Sequence, residues 1–301
     1  MSKIAITTSS FGEYDRSALD LLKEKGLEVA LNPYGRKLVK REIIEICGGA
    51  MGLVAGTETL DRDTMKDLKG LRVISRCGTG MDNVDLEAAD DLGIKVYNTP
   101  DGPTLAVAEL TVALMLNLIR KVSASGQDLK NGKWDKRMGN LLSGKKIGIV
   151  GFGRIGKKTA GLLRPFGCLI KYADPFLSGD VEGFEGARLE ELLAWADIVS
   201  LHVSNGEEIL GEKEMLAMKK GAWLLNMSRG GVVNEEALFK ALGSGHLSGA
   251  ALDVFKKEPY DGPLRKLDNV VLTPHIGSYA KEARVKMEYD AVQNLLKGLG
   301  V

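Results

Sequence analysis

The chain has 301 residues, of which 41 are Lys or Arg and 40 are Asp or Glu, so its formal charge at pH 7 is +1. This balance excludes a general attraction to nucleic acid or to an anionic membrane surface. The length predicts two domains, and the 44% of hydrophobic and 27% of charged residues are typical of a soluble globular protein.

Short apolar runs alternate with helical patterns in the first third of the chain, as in a parallel sheet covered by helices. Apolar spacing predicts helices over residues 15–25 and 40–47. Five strands are predicted, over residues 3–7, 27–31, 52–55, 73–76 and 95–98. This part of the chain is therefore expected to form a small α/β unit.

A long apolar helix is predicted over residues 104–122. It contains Glu109 and Asn117 and is too short and polar to span a bilayer comfortably, so we expect it to be buried. Six strands follow, enough for a dinucleotide-binding sheet. They are predicted over residues 146–150, 169–173, 198–202, 222–226, 249–254 and 269–274.

The tail predicts how the chain divides into domains. Residues 279–296 have a helical apolar pattern with no further strand, so this helix is expected to pack on the first unit. The fold class is therefore α/β with two doubly wound parallel sheets. We expect a cofactor domain over residues 99–276, inserted into a discontinuous domain of residues 1–98 and 277–301, with the hinge near Pro100 and Pro103.

The glycines Gly151, Gly153 and Gly156 form G-x-G-x-x-G between an apolar strand and a helix. That context predicts a dinucleotide site, with the pyrophosphate at the amino end of the helix. Asp174 ends the next strand, where a carboxylate binds a ribose diol and repels a 2′-phosphate, so we predict NAD rather than NADP. The alternatives are that Asp174 is simply a solvated acid at the end of a strand, or that the site binds FMN or another nucleotide.

Three histidines are candidates for proton transfer. His275 follows a predicted parallel strand at the end where ligands meet such sheets, and an imidazole there exchanges protons near neutral pH. His202 also ends a strand, without an obvious acidic partner. His246 lies in a glycine-rich turn and is expected at the surface.

Two further side chains follow strands of the same predicted sheet. The guanidinium of Arg229 can bind a carboxylate bidentately and polarise the adjacent carbonyl. A contact between Glu258 and His275 favours the charged imidazole. An arginine together with a His–Glu pair suits hydride transfer to a 2-oxo acid. Taken alone, Arg229 is also explained as an ordinary arginine at the start of a helix, and Glu258 as an ordinary loop glutamate.

Six collinear segments resemble the D-isomer-specific 2-hydroxyacid dehydrogenases. Besides the glycine motif, these are RCGTGMDNVDLEAA, YNTPDGPTLAVAEL, NMSRGGVVNEEAL, GAALDVFKKEP and LTPHIG, in the order of that family. The resemblance implies that Arg229 orients the substrate, His275 is the acid/base and Glu258 is its partner. It also places Arg154 and Ile155 at the pyrophosphate, Asp174 at the ribose, Asp253 at the nicotinamide amide, and Thr99, Val203 and Met227 along the cofactor.

The segment RCGTGMDN predicts a substrate site. Backbone N–H groups around Gly78, Thr79 and Gly80 can form a cradle for a carboxylate. Arg76 is a candidate for binding a phosphate, or else a strand-end arginine paired with an acid. Lys136 and Arg137 are weaker phosphate candidates that are otherwise solvated.

The resemblance implies hydride transfer between NAD and a D-2-hydroxy acid, with 3-phosphoglycerate as the first candidate. Glyoxylate or hydroxypyruvate is the alternative substrate, and an NAD(H)-sensing, corepressor-like binding protein is the alternative of another class. Pro274 precedes His275, at a position where the formate dehydrogenases of this superfamily carry glutamine, which argues against formate as the substrate. Ser204 stands where many relatives have a proline, so this chain departs from the family pattern there. No serine-binding extension follows Val301, so feedback through such a domain is not expected.

The remaining expectations concern location and assembly. Cys47, Cys77 and Cys168 match neither a zinc motif nor a redox pair, which predicts no bound metal and reduced thiols in the cytoplasm. The amino-terminal segment lacks the apolar core of a secretory signal. The apolar helix over residues 104–122 predicts a homodimer through the cofactor domain.

Overall fold

The computed structural model describes residues 2–301, which divide into two compact units. The split unit contains the residues up to Ala106 together with Ser278–Val301, and the central unit is Val107–Gly277. The first division falls eight residues later than the domain boundary predicted at 98/99, because the segment after residue 98 packs within the split unit. A Cβ built on Gly102, for example, would lie 2.4 Å from Cγ of Met287.

The split unit holds a parallel sheet of the order β2-β1-β3-β4-β5. This is the flavodoxin-like order of a doubly wound sheet. The last two strands have the predicted bounds, and the others begin or end within two residues of them. The strands are β1 Lys3–Ile6, β2 Glu28–Leu31, β3 Ala50–Ala55, β4 Val73–Arg76 and β5 Lys95–Asn98.

Helices cover the sheet of the split unit on both faces. Two of them begin at aspartates, Asp61 and Asp85, whose carboxylates accept a hydrogen bond from the third helical residue. One face is covered by α1 and by the carboxyl-terminal helix, which buries Val292 and Leu295 against Ile4 and Ile6. The helices are α1 Ser17–Glu24, α2 Lys40–Cys47, α3 Arg62–Asp67, α4 Leu86–Asp91 and α11 Lys281–Leu299.

The central unit holds an eight-stranded sheet of the order β13-β12-β11-β10-β6-β7-β9-β8, parallel except for the antiparallel β8–β9 pair. The prediction of six strands was incomplete, because β8 and β9 have two and three residues and show no periodicity. The strands are β6 Lys146–Val150, β7 Leu169–Ala173, β8 Asp180–Val181, β9 Phe184–Gly186, β10 Ile198–Leu201, β11 Ala222–Asn226, β12 Leu247–Leu252 and β13 Val270–Leu272.

The helix predicted over residues 104–122 is α5 (Gly102–Arg120), which begins and ends two residues earlier than predicted, and a further helix follows Lys121, which adopts a left-handed conformation with φ of 56°. By length and mean hydropathy (1.6), α5 could cross a membrane, but 56% of its most apolar 18-residue stretch is buried in the protein, as in a core helix. The helices are α5 Gly102–Arg120, α6 Val122–Lys130, α7 Arg154–Leu163, α8 Leu189–Trp195, α9 Glu212–Ala217 and α10 Glu235–Gly243.

Candidate active site

The glycine motif turns the chain from β6 into α7. Gly151 has φ of 86°, a conformation that favours glycine. A Cβ at this position would lie 2.7 Å from the carbonyl carbon of His202, and one at Gly156 would lie 2.2 Å from the oxygen of Gly151. Gly151 is therefore required by its close contact with the end of β10, and Gly156 by packing within the turn itself.

The third glycine leaves room for a ligand. A Cβ built on Gly153 meets no described atom within 4 Å, so this side of the turn is open. Gly153 is also the N-cap of the ten-residue helix α7, and no side chain caps the helix there. The positive end of the helix dipole thus lies beside open space at Gly153, which fits the pyrophosphate of NAD. Arg154 and Ile155 form the first turn of this helix.

The carboxylate of Asp174 lies beside the glycine turn, directly after β7. Its Oδ2 accepts a hydrogen bond of 2.8 Å from the N–H of Phe152, and its Oδ1 accepts one of 2.9 Å from the N–H of Phe176. Each carboxylate oxygen retains a lone pair. The side chain is thus held in place with acceptor capacity remaining for a ribose diol.

The end of β10 packs behind the glycine turn. His202 is buried, and its Nε2 lies 2.9 Å from Oγ of Ser200. Burial lowers the pKa of His202 to about 3, so this imidazole is neutral at physiological pH. Val203 follows it, and the backbone N–H of Met227, at the next strand end, donates to Leu201.

Asn226 organises the turn that carries Arg229, and the sequence analysis did not identify it. This residue is 1% exposed, and its Oδ1 accepts hydrogen bonds from the N–H and the hydroxyl of Ser228. Its Nδ2 donates to the carbonyl of Arg229 at 3.0 Å. An asparagine at the end of a predicted apolar strand is the one sequence signal for this role.

A backbone contact brings the turn of Arg229 to the segment that carries Glu258. A Cβ at Gly230 would lie 1.8 Å from the carbonyl oxygen of Phe255. Because only a glycine allows this approach, the loops after β11 and β12 pack directly against each other.

Glu258 and His275 form the predicted pair. Oε2 of Glu258 lies 2.9 Å from Nδ1 of His275, and Oε1 accepts a hydrogen bond from the N–H of Phe255. Because Nδ1 faces the carboxylate, Nε2 is the ring nitrogen left to exchange a proton, and no residue of 2–301 bonds to it. Both side chains are more than a third exposed, so a substrate can reach them.

Asp253 anchors the loop that carries His275. It is 2% exposed, and its Oδ1 accepts hydrogen bonds from the hydroxyl of Thr273 and the N–H of Ile276. Its Oδ2 accepts a third from the N–H of Gly277 at 2.7 Å. Burial raises the pKa of Asp253, and these bonds oppose the rise. The structure thus gives this residue a holding role, and its predicted contact with nicotinamide stays a prediction.

The predicted substrate cradle lies in the split unit. Thr99 is buried there, and its hydroxyl accepts a hydrogen bond of 2.7 Å from the N–H of Gly78. The amide of Asn98 donates to the carbonyl of Thr79. Arg76 packs over the cradle, because a Cβ at Gly78 would lie 1.4 Å from its Nη1. The predicted contact of Thr99 with the cofactor stays a prediction.

Arg137 and His246 have structural partners. The guanidinium of Arg137 binds Asp128 on α6 through Nε and Nη2, which lowers the pKa of that carboxyl group. Nε2 of His246 lies 3.0 Å from the carbonyl oxygen of Met215. Lys136 is exposed. Arg137 therefore fits a role in holding the loop after α6 better than a role in binding phosphate.

Comparison with known proteins agrees with the NAD-binding geometry of the central unit. Residues 112–277 match the family model described as "D-isomer specific 2-hydroxyacid dehydrogenase, NAD binding domain". The chain belongs to this family, and the resemblance inferred from its motifs is confirmed.

Relatives extend the similarity over the whole chain. D-3-phosphoglycerate dehydrogenase of Methanocaldococcus jannaschii is 40% identical over 89% of this chain and 52% of its own. The chain thus spans about half the length of such curated relatives. Hydroxypyruvate reductase of Thermotoga maritima is 37% identical over 95% of this chain and 96% of its own. The crystal structure of the TT0316 protein from Thermus thermophilus superposes with a TM-score of 0.92 at 39% identity, covering 99% of this chain and 97% of its own.

Proposed function

We propose that this protein interconverts a D-2-hydroxy acid and its 2-oxo acid with NAD. The observation that carries the proposal is the Glu258–His275 pair at 2.9 Å, on loops of the sheet whose glycine turn fits a pyrophosphate. Bound NAD supplies the acceptor for the hydride that leaves C2 during oxidation.

His275 handles the proton of this reaction. In oxidation the neutral Nε2 takes the proton of the C2 hydroxyl group while the C–H bond at C2 breaks and the carbonyl forms. The imidazolium that results is stabilised by the carboxylate of Glu258. In reduction the same nitrogen returns the proton to the carbonyl oxygen.

Arg229 binds the substrate carboxylate and the oxygen on C2. Its backbone carbonyl is held by buried Asn226, and its Nη1 donates to the carbonyl of Ser228 at 2.9 Å. A fixed guanidinium presents a planar pair of donors to the carboxylate and stabilises charge on the reacting oxygen.

The first candidate substrate is 3-phosphoglycerate, oxidised to 3-phosphohydroxypyruvate as a step toward serine. Support comes from the relatives named D-3-phosphoglycerate dehydrogenase and from Arg76 beside the cradle of the split unit. The second candidate is hydroxypyruvate or glyoxylate, since the hydroxypyruvate reductase matches over nearly its full length.

A homodimer through the central unit is part of the proposal. Helix α6 and the loop after it expose large apolar side chains, with Trp134 at 79%, Met138 at 86% and Leu141 at 71%. A second copy of the chain would cover this surface.

Steady-state assays test the function. The wild-type protein, Arg229→Ala and His275→Ala are assayed with NAD and a panel of D-2-hydroxy acids, and with NADH and the 2-oxo acids. Turnover of at least one acid, lost in both variants, supports the proposal. Undiminished turnover in both variants contradicts the assigned residues. Absence of all turnover, together with copurification of a protein partner, favours a cofactor-sensing binding protein.

A further inference from the structure

Strand β7 carries a buried tyrosine two residues before Asp174, and the site described above gives it no role. Tyr172 is 0% exposed. A tyrosine buried in this way needs a hydrogen-bond partner for its hydroxyl group. That hydroxyl donates to the carbonyl oxygen of Gly179 at 3.2 Å. The side chain therefore makes a polar contact at its tip as well as apolar contacts along its ring.

The ring of Tyr172 holds a residue of the glycine motif. It stacks on the ring of Phe152, with the ring centres 4.3 Å apart and the planes 11° from parallel. Phe184 of β9 packs edge-on against the same Phe152 ring at 5.6 Å. The N–H of Phe152 donates to Oδ2 of Asp174 at 2.8 Å. One of the two hydrogen bonds that orient Asp174 thus comes from a residue that Tyr172 holds in place.

The hydroxyl of Tyr172 fastens the loop that follows Asp174. This loop contains Phe176, whose N–H donates the second hydrogen bond to the carboxylate of Asp174, at Oδ1. It ends at Gly179, whose carbonyl oxygen accepts hydrogen bonds from Tyr172 and from the N–H of Gly186. Because the side chain of Phe176 is 92% exposed, its packing adds little to the position of the loop. The second donor to Asp174 thus lies in a loop whose end Tyr172 holds.

The β8–β9 hairpin connects the same aromatic group to the helix after the glycine turn. Lys157 on α7 binds the carboxylate of Glu182, between β8 and β9, at 2.9 Å. Arg164, directly after α7, donates to the carbonyl of Glu182 at 3.1 Å, and its guanidinium lies 4.4 Å from the centre of the Phe184 ring. The hairpin is therefore attached both to α7 and, through Phe184 and Phe152, to the ring of Tyr172.

We propose that Tyr172 is a positioning residue for the cofactor, whose ring and hydroxyl group together hold the carboxylate of Asp174 in the orientation that binds the adenosine ribose of NAD. The inference rests on the proposed function, since it takes Asp174 as the residue that binds this ribose. Tyr172 does not touch the cofactor itself and acts through Asp174.

Orientation matters because a hydrogen bond weakens steeply when its donor and acceptor are out of line. A carboxylate that is already held in the binding orientation also avoids the entropic cost of ordering it when the ligand arrives. The same held charge repels a 2′-phosphate. Loss of the holding contacts should therefore weaken binding of NADH more than binding of NADPH.

Tyr172→Phe is the decisive variant. It keeps a ring to stack on Phe152, and the carbonyl of Gly179 keeps its bond from Gly186, so the fold is retained. Dissociation constants of NADH and NADPH are measured by isothermal titration calorimetry. Affinity for NADH should fall about three- to tenfold, as expected for one hydrogen bond, and affinity for NADPH should fall less. An NADH constant within about twofold of the wild type, or an equal fall for both cofactors, overturns the proposal.

A double-mutant cycle tests whether Tyr172 acts through Asp174. In an Asp174→Ser background the carboxylate that Tyr172 holds is absent, so adding Tyr172→Phe should change the affinity for NADH by less than about twofold. A structural role alone would weaken binding by the same factor in both backgrounds. That result overturns the proposal.

Tyr260→Phe is the matched control. Tyr260 belongs to a second stacked pair of the central unit, with its ring centre 4.3 Å from that of Phe255, and its hydroxyl accepts a hydrogen bond from the N–H of Leu264. The variant removes the same hydroxyl group away from Asp174, so affinity for NADH should stay at the wild-type value. An equal fall in Tyr260→Phe and Tyr172→Phe contradicts a specific role for Tyr172.

The same titrations separate this proposal from the proposed function. A wild-type protein that binds neither NADH nor NAD contradicts the proposed function itself. A wild type that binds NADH, together with a Tyr172→Phe variant that binds it equally well, leaves the proposed function in place and overturns only the role of Tyr172.

Discussion

Nδ1 of His275 lies 2.9 Å from Oε2 of Glu258, and the N–H of Phe255 holds the other oxygen of the same carboxylate. The carboxylate therefore fixes both the orientation of the imidazole and which nitrogen faces the substrate. His275 also has φ of 55°, so the loop holds a non-glycine residue in a left-handed conformation.

Glu258→Gln should slow the reaction without abolishing it. The amide can keep the bond to Phe255, but it cannot stabilise an imidazolium, so we expect kcat to fall by about 10- to 100-fold. His275→Asn should cost about 10²- to 10⁴-fold. Steady-state kinetics give both values, and Glu236→Gln, at an exposed position of α10, is the control. Wild-type kcat in Glu258→Gln would show that the contact has no part in proton transfer.

Asp253→Asn should destabilise the central unit. The carboxylate accepts three hydrogen bonds from the loop of His275, and an amide nitrogen facing an N–H leaves at least one buried donor unpaired. We expect a loss of about 1–3 kcal/mol in the free energy of unfolding, measured by urea denaturation. Thr273→Val, which removes one of these donors, should cost about 1 kcal/mol. A smaller loss in Asp253→Asn than in Thr273→Val would contradict the anchoring role.

His202 should make stability depend on pH. Burial lowers its pKa from 6.5 to about 3, so between these values the unfolded chain binds a proton that the folded protein does not. The stability is therefore full above pH 6.5 and is lost as the pH falls toward 3, by at most about 1.4 kcal/mol per pH unit. Urea midpoints from pH 7 to pH 4 should fall less steeply in His202→Gln than in the wild type. His246→Gln is the control, and equal slopes in wild type and His202→Gln would refute the prediction.

Asp174 should determine the choice of cofactor. Its carboxylate is held beside the glycine turn by Phe152 and Phe176, where it repels a 2′-phosphate. Asp174→Ser should raise affinity for NADPH relative to NADH by about tenfold or more, measured by quenching of protein fluorescence. Asp180→Asn, in the nearby β8, should leave the ratio unchanged. Preference for NADPH in the wild type would refute the assignment.

Met138→Glu should weaken the proposed dimer. A charge in the middle of a covered apolar surface is costly, so sedimentation velocity should show a shift toward monomer at micromolar concentration. Leu216→Glu, on α9 and also exposed at 62%, tests whether any charged substitution has this effect. A wild-type protein that sediments as a monomer would remove the basis of this proposal.

Sequence patterns predicted the elements that are long or periodic. The strands β4, β5, β6, β7 and β11 have the predicted bounds, because a Gly, Pro, Asp or Ser follows each of them within two residues. Helix α6 was not predicted, because its segment VSASGQDLK has few apolar residues and its separation from α5 depends on Lys121, which adopts a left-handed conformation that lysine rarely takes.

Site residues could be predicted where their residue type itself indicates the chemistry. They could not be predicted where their role depends on tertiary contacts. Arg229, Glu258 and His275 are recognisable from their positions after strands. Asn226 and Thr273 were missed, since their partners are found only when neighbouring loops pack together.

The carboxyl-terminal helix α11 has a consequence for biosynthesis. It covers Ile4, Ile6 and Val73 on one face of the first sheet, yet the ribosome makes it only after the whole of residues 107–277. During translation the part of that apolar face that α11 covers stays exposed while the intervening unit is synthesised and can fold. The first sheet to be synthesised is therefore completed only after the last helix of the chain has left the ribosome.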